Sequence, residues 1–260
     1  MYSLAQRVAA LDSGLGTGLG EDVDQFIRVL SEVVSFGTET VSSMPRLRPA
    51  DADGAISECH LLARLASAAP EIVNGPLARS RQYWISAEKP PHLPPNEREL
   101  SVRHFRSAME APPVLSTKPF GFGLYTSTGF GESQGMWRAY LDMYEASEVP
   151  PPVWYVWSLS ARSDAAVIEI ASATDWAMFV DRFPIEDKGW IYPNWKAVAH
   201  AFDAVHVTVK AIAAIQGICF YTQNGVTAPT YWDVETTFWL RWPFETVGTA
   251  EVVGDLDFLL

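Results

Sequence analysis

Three short stretches of this sequence carry side chains that could do chemistry. The first, "GFGLYTST" at 121–128, places a glycine shortly before Tyr125 and a run of three hydroxyl side chains. Glycines let the backbone approach a ligand closely, and a tyrosine ring offers a flat apolar surface. The second, "SVRHFRS" at 101–107, offers arginine and histidine donors that suit oxygen acceptors. The third, "YWDVETTFWLRW" at 231–242, places Glu235 at the start of a strand-like run.

The first stretch resembles the second core strand of the ADP-ribosyltransferase superfamily, some bacterial and phage members of which carry a KPxGLW/Y-x-S signature. An insertion around Phe122 interrupts the match, which consists of Lys118, Pro119, Gly123, Leu124, Tyr125 and Ser127. The third stretch resembles the last core strand, which begins with the catalytic glutamate of the family. The order also agrees, because the family places an arginine or histidine on its first core strand, which corresponds here to 101–107.

The resemblance implies an NAD-dependent ADP-ribosyltransferase, a glycosyltransferase that cleaves the nicotinamide–ribose bond of NAD. It would transfer ADP-ribose to a macromolecular acceptor, either protein or nucleic acid. The implied type is a toxin of a toxin–antitoxin or phage-defence pair, with an antitoxin or immunity protein as its partner. The alternatives are an NAD glycohydrolase and a non-catalytic interaction or structural protein with the same fold. Asp233 replaces the first glutamate of the family's Glu-x-Glu, which argues against an arginine acceptor.

Two alternative catalytic sets follow from the family pattern. The preferred set is a histidine, a tyrosine and a glutamate: His104, Tyr125 and Glu235. The other set is an arginine, a serine and the same glutamate: Arg103 or Arg106, Ser127 and Glu235. Glu235 would stabilise the positive charge that develops on the ribose, and Tyr125 would stack on nicotinamide. The remaining contacts to NAD are assigned to Arg103, Arg106, Gly123, Thr126, Ser127 and Trp137.

Each of these residues also has an ordinary structural explanation. A glutamate before a strand is most often a solvated edge residue. Tyr125 fits equally well as a core aromatic of a sheet, and His104 as a surface or core histidine. His206 alternates with Val205 and Val207 in "DAVHVT", so it should point to the opposite face of a strand. Because no nucleophile elbow accompanies it, we interpret His206 as a structural residue.

Hydrophobic patterning predicts the elements that position these residues. An amphipathic helix is predicted at 21–36 and a second helix at 54–68. The proline-rich stretch at 90–99 separates a helical region, 1–95, from an ADP-ribosyltransferase-like domain, 96–260. Short strands are predicted in the second part, at 153–160, 165–171, 204–209, 218–222 and 234–242. The predicted fold class is α+β, with two packed, mostly antiparallel sheets and an N-terminal helical region.

Composition restricts the environment and the partners. The net charge of −12 argues against a broad electrostatic grip on nucleic acid, which needs clustered lysines and arginines, but leaves open a nucleic-acid substrate held at one small basic patch. Cys59 and Cys219 lie far apart without other metal-ligating residues at short spacing, so we expect neither a disulfide framework nor a metal site. No apolar run approaches the ~18 residues of a membrane helix. We therefore expect a cytoplasmic protein that does not enter the membrane.

Overall fold

Helices dominate the first part of the chain and strands the second. The computed structural model describes residues 4–35, 44–86, 100–145, 154–249 and 251–253. The helices of these residues are α1 (Leu4–Asp12), α2 (Leu19–Ser35), α3 (Pro49–Ile56), α4 (His60–Ala68), α5 (Pro70–Val73), α6 (Met136–Glu145), α7 (Ala173–Arg182), α8 (Trp195–Ala201) and α9 (Val209–Ile215). The strands are β1 (Arg46–Leu47), β2 (Gln82–Ser86), β3 (Leu124–Thr128), β4 (Trp154–Ala161), β5 (Val167–Ile170), β6 (Pro184–Asp187), β7 (Trp190–Pro193), β8 (Ala204–Val207), β9 (Cys219–Tyr221), β10 (Val226–Thr227), β11 (Thr236–Trp239), β12 (Phe244–Val247) and β13 (Glu251–Val253). The predicted α+β class is confirmed.

The amphipathic helix predicted at 21–36 is confirmed as α2. Its apolar residues recur at helical spacing, and Phe26, Ile27 and Leu30 are completely buried. Asp22 lies in the first turn, where the helix dipole favours a negative charge. Neither α2 nor any other helix of the described ranges has the length and apolar character needed to cross a membrane.

One predicted helix and one predicted strand differ from the structure. The helix predicted at 54–68 is divided into α3 and α4, because a turn in which the Ser57 N–H donates to the Gly54 carbonyl ends the first helix. The stretch 101–107, which the family pattern equates with a first core strand, contains a 3-10 helix at Val102–His104 and no strand.

Eight strands form the larger sheet, in the order β12-β4-β2-β3-β11-β8-β5, with β13 also paired to β4. Neighbours are antiparallel, except that β5 and β8 are parallel. The strand β2 lies in the region predicted to be helical, yet it pairs with both β3 and β4. The predicted domain boundary between residues 95 and 96 falls in a segment outside the described residues.

The smaller sheet has five strands, in the order β1-β9-β10-β7-β6. Two of its pairs, β1 with β9 and β7 with β10, are parallel, and the other two are antiparallel. Together the two sheets are mixed and mostly antiparallel, as the strand pattern predicts.

The larger sheet has apolar side chains on both faces. Because side chains alternate along a strand, Tyr125 and its cross-strand neighbour Phe238 point to one face and Trp239 points to the other. The first face belongs to the main core, which includes Phe26 of α2. The second face packs against a separate cluster that includes Trp157. Packing on both faces fixes β3, which carries Tyr125, Thr126 and Ser127, and β11, which directly follows Glu235.

Candidate functional site

A cleft opens in the larger sheet where β2 and β3 part. The pairing of these strands covers Gln82 with Thr128 and Tyr83 with Ser127. After these positions β2 continues along β4, and β3 continues along β11. The diverging ends line a cavity of about 180 Å³ with the side chains of Trp84, Ile85, Tyr125 and Thr126.

The rest of the cleft wall comes from the loop before β3, from β3 itself, from α6 and from β11. These elements contribute Lys118, Phe120, Ser127, Trp137 and Thr236. The wall is mostly aromatic and aliphatic, with three aliphatic hydroxyl groups, one phenol and one ammonium group. Pockets for drug-sized ligands typically have volumes of about 300–1,000 Å³. The volume of this cavity is smaller and suits a single ring. Four residues predicted to contact NAD meet here: Tyr125, Thr126, Ser127 and Trp137.

The ring of Tyr125 belongs to an aromatic cluster. Phe238 stacks on it, with ring centroids 4.4 Å apart and planes inclined by 13°. Lys118 Nζ lies 5.4 Å from the same centroid. The hydroxyl donates to the Pro119 carbonyl, and burial raises the pKa of Tyr125 well above its ordinary value, so the phenol stays protonated. Because Phe238 covers one side of the ring, a stacked nicotinamide would have to take the other side.

Gly123 leaves room that the protein itself fills. Its φ is +69°, and a Cβ at this position would lie 2.3 Å from the Phe238 ring and 2.6 Å from the Trp239 carbonyl oxygen. Its N–H donates to the Arg106 carbonyl at 2.7 Å. The glycine therefore allows β11 to pack closely against the backbone. Because β11 occupies this space, a ligand cannot approach Gly123 there as the resemblance predicts.

We expect Gly123→Ala to lower the free energy of unfolding by about 2–4 kcal/mol, because it combines overpacking with a strained φ. Urea denaturation followed by tryptophan fluorescence measures this loss. Gly121→Ala is the matched control, since Gly121 has a φ of +88° and nothing within 4 Å of a Cβ. Equal losses in the two variants would show that the contact with Phe238 is not the cause.

The hydroxyl groups of Thr126 and Ser127 join neighbouring strands. Thr126 Oγ1 donates to the side-chain carbonyl of Gln82 on β2 and accepts from the indole N–H of Trp239 at 2.8 Å. Ser127 Oγ donates to the Glu235 carbonyl at 2.8 Å and accepts from the Trp137 backbone N–H at 3.2 Å. A hydroxyl has one donor and two acceptor positions, so each can still accept one hydrogen bond from a ligand.

Glu235 is completely buried and lies immediately before β11. Its Oε1 is 2.9 Å from His206 Nε2, and its Oε2 accepts from the Thr128 N–H at 2.9 Å. His206 is on the sheet face opposite to Tyr125, so the carboxylate is directed away from that ring. Glu235 is not among the described residues that line the cleft, although the next residue, Thr236, is.

The partners of Glu235 were missed by the sequence analysis. His206 Nδ1 is 2.5 Å from Glu169 Oε2, so the imidazole bridges two carboxylates. Burial opposes the charged ring, but the hydrogen bonds to Glu169 and Glu235 outweigh it and raise the pKa of His206 to about 9. Burial also raises the pKa of Glu169, but the hydrogen bond and charge of His206, the Leu77 N–H and the charge of Arg79 together outweigh burial and lower that pKa overall. The sequence does contain one polar residue inside each of two apolar strands, Glu169 in β5 and His206 in β8, and this pattern could have indicated a buried polar pair.

Arg103 and Arg106, the two arginine candidates from 101–107, lie outside the cleft wall. Both have exposed side chains, and neither is among the described residues that line the cavity. The backbone of His104 ends the 3-10 helix. β3 pairs with β11 at Leu124–Thr126 and with β2 at Ser127 and Thr128, and the stretch 101–107 supplies no strand beside Tyr125. Trp137 does reach the cleft, and its ring stacks on Tyr140 with centroids 5.1 Å apart.

Asp233 and Glu235 have separate partners. Asp233 Oδ1 accepts from Gln216 Nε2 at 2.9 Å, and burial raises the pKa of Asp233. The described ranges contain no group of three or more His, Cys, Asp or Glu side chains that could hold a metal ion.

The chain matches no protein-family model, no curated protein and no solved structure. The likeness to ADP-ribosyltransferases therefore rests on the short stretches quoted above.

Proposed function

We propose that the protein binds NAD in the β2–β3 cleft and acts as an NAD-dependent ADP-ribosyltransferase with a macromolecular acceptor. The observation that carries the proposal is the parting of β2 and β3, which opens a ring-sized cleft beside Tyr125 and Ser127. The sequence resemblance assigns these same two residues to NAD. The nicotinamide ring would occupy the cleft, and the rest of the dinucleotide would extend past the exposed side chain of Phe120.

The proposed chemistry needs a negative charge beside the ribose, because the breaking glycosidic bond leaves positive charge there. The described residues that line the cleft include no carboxylate. Glu235 directly precedes Thr236 of the cleft wall, which makes it our candidate for this charge. The transferase proposal therefore requires the Glu235 carboxylate to break its hydrogen bond with His206 and to turn toward the ribose when NAD binds.

The burial of Glu235 favours a second candidate, a non-catalytic protein that binds its ligand in the cleft. Both carboxylate oxygens already have hydrogen-bonding partners inside the protein, and in this candidate Glu235 only stabilises the fold. Release of nicotinamide from NAD separates the two candidates. With NAD labelled in the adenine moiety, label on a macromolecule indicates transfer, and free ADP-ribose indicates the glycohydrolase. NAD binding without nicotinamide release would support the second candidate.

We expect Phe120→Ala to weaken NAD binding about fivefold, through the loss of roughly 1 kcal/mol of aromatic contact at the cleft. Phe120 lines the cleft and is 69% exposed, so the substitution should leave the fold intact. Met178→Ala is the matched control, because Met178 is 66% exposed on α7 and is not part of the cleft wall. Calorimetric titration with NAD measures both. Equal NAD affinities in the two variants would show that NAD does not bind in this cleft.

A further inference from the structure

Lys118 is a buried cation in the wall of the cleft. Only 8% of its surface is exposed. Its Nζ donates to the Tyr231 carbonyl at 2.7 Å and lies 5.2 Å from the centroid of Trp232 and 5.4 Å from that of Tyr125. An ammonium group has three donors, and among the described residues Tyr231 is the one hydrogen-bond acceptor of this group. Donors therefore remain for a ligand in the cleft.

The ammonium group of Lys118 has no close counter-charge. No described carboxylate lies within ion-pair distance of it, and burial lowers the pKa of Lys118 to about 8, although Asp233 opposes this. The aromatic rings around it compensate part of the buried charge. An anionic ligand group at this position would supply the missing counter-charge in a poorly hydrated wall, where such a contact is strong.

The segment that holds Lys118 is conformationally strained. Tyr231 has a φ of +69°, a left-handed conformation that is unusual for an aromatic residue. This conformation presents the Tyr231 carbonyl to Lys118 Nζ, while 59% of the residue's surface stays exposed. Strained backbone of this kind is concentrated at ligand-binding and catalytic sites. Here it fixes the position of a cation on the cleft wall.

We infer that Lys118 binds a phosphate group of the nucleotide held in the β2–β3 cleft. The inference rests on the proposed function, since NAD is the expected nucleotide and its pyrophosphate is the expected anion. Lysine suits this role as a point charge that binds phosphate without the planar geometry of arginine. Arg103 and Arg106, which the resemblance assigns to NAD, are outside the cleft wall, so Lys118 is the cation that the described part of the wall offers to a phosphate.

The test uses calorimetric titration of the full chain with four probes: NAD, ADP-ribose, sodium pyrophosphate and nicotinamide. Lys118→Met removes the charge and keeps the length of the side chain, and Lys118→Arg keeps the charge. We expect Lys118→Met to bind NAD and ADP-ribose about 10- to 100-fold more weakly and nicotinamide as the wild type does. Lys118→Arg should restore most of the affinity. The matched control is Lys196→Met, which makes the same charge change at an exposed position on α8.

The possible outcomes separate this inference from the proposed function. Equal NAD affinity in the wild type and Lys118→Met overturns the inference and leaves the proposed function standing. Lys118-dependent binding of ADP-ribose or pyrophosphate without NAD binding supports the inference and overturns the NAD proposal. A wild type that binds none of the three anionic probes overturns both. If Lys118→Met does not fold, acetylation of wild-type Lys118 decides: ADP-ribose should protect it, and equal labelling with and without ADP-ribose overturns the inference.

Discussion

Replacement of His206 by leucine is expected to lower the free energy of unfolding by about 3–5 kcal/mol. The substitution leaves the carboxylate of Glu235, which is completely buried, without its cationic partner. Glu169 is affected less, because 29% of its side chain is exposed and water can reach it. Urea denaturation measures the loss, and the ten tryptophans of the chain provide the fluorescence signal.

The double variant His206→Leu/Glu235→Gln tests the cause of that loss. The glutamine has no charge, and its amide oxygen can still accept from the Thr128 N–H. If the uncompensated carboxylate causes the instability, the double variant should be at least about 1–2 kcal/mol more stable than His206→Leu alone. A loss below about 1 kcal/mol in the single variant would contradict an energetic coupling between His206 and Glu235.

If the protein releases nicotinamide from NAD as proposed, Glu235→Gln is expected to lower the rate of that release by about 100- to 1,000-fold. The affinity for NAD should change little. The reason is that the carboxylate would act mainly in the transition state, where the ribose carries positive charge. The substitution keeps the size of the side chain and an acceptor for the Thr128 N–H. Single-turnover release, measured by chromatography, gives the rate independently of NAD affinity.

Glu169→Gln is the matched control for this substitution. It makes the same chemical change on the other side of His206, so it perturbs the same buried hydrogen bonds without removing the candidate charge. We expect its release rate to stay within about threefold of the wild type, because Glu169 is not part of the cleft wall. A folded Glu235→Gln protein with the wild-type rate would show that Glu235 has no catalytic role.

The elements with long or regular patterns could be predicted from the sequence. The helix α2 repeats its apolar residues over four turns, and the runs that became β4, β8 and β11 are rich in aromatic or β-branched residues. The strand β2 could not be recognised, because it has five residues and is followed closely by the prolines of 90–99. Its place in the sheet depends on pairing with β4, more than 60 residues away in the sequence.

The candidate site could be predicted in part for the same reason. Tyr125, Ser127 and Trp137 meet in the cleft because they lie on a strand and on the helix that follows it. The surroundings of Glu235 depend on which strands become neighbours. The parallel pairing of β5 with β8 brings Glu169 beside His206, and β11 brings Glu235 to the same ring. No local pattern in the sequence encodes these two pairings.

The central position of β2 restricts how the chain can be divided. A chain that begins at residue 96 would contain β3 and β4 but lack the strand that lies between them. Two rows of backbone N–H and C=O groups would then lose their partners and become open edges. Open edges of this kind pair with strands of other molecules. Such a shortened chain would therefore self-associate, and strand-forming peptides with the sequence of Gln82–Ser86 would compete for the vacant position.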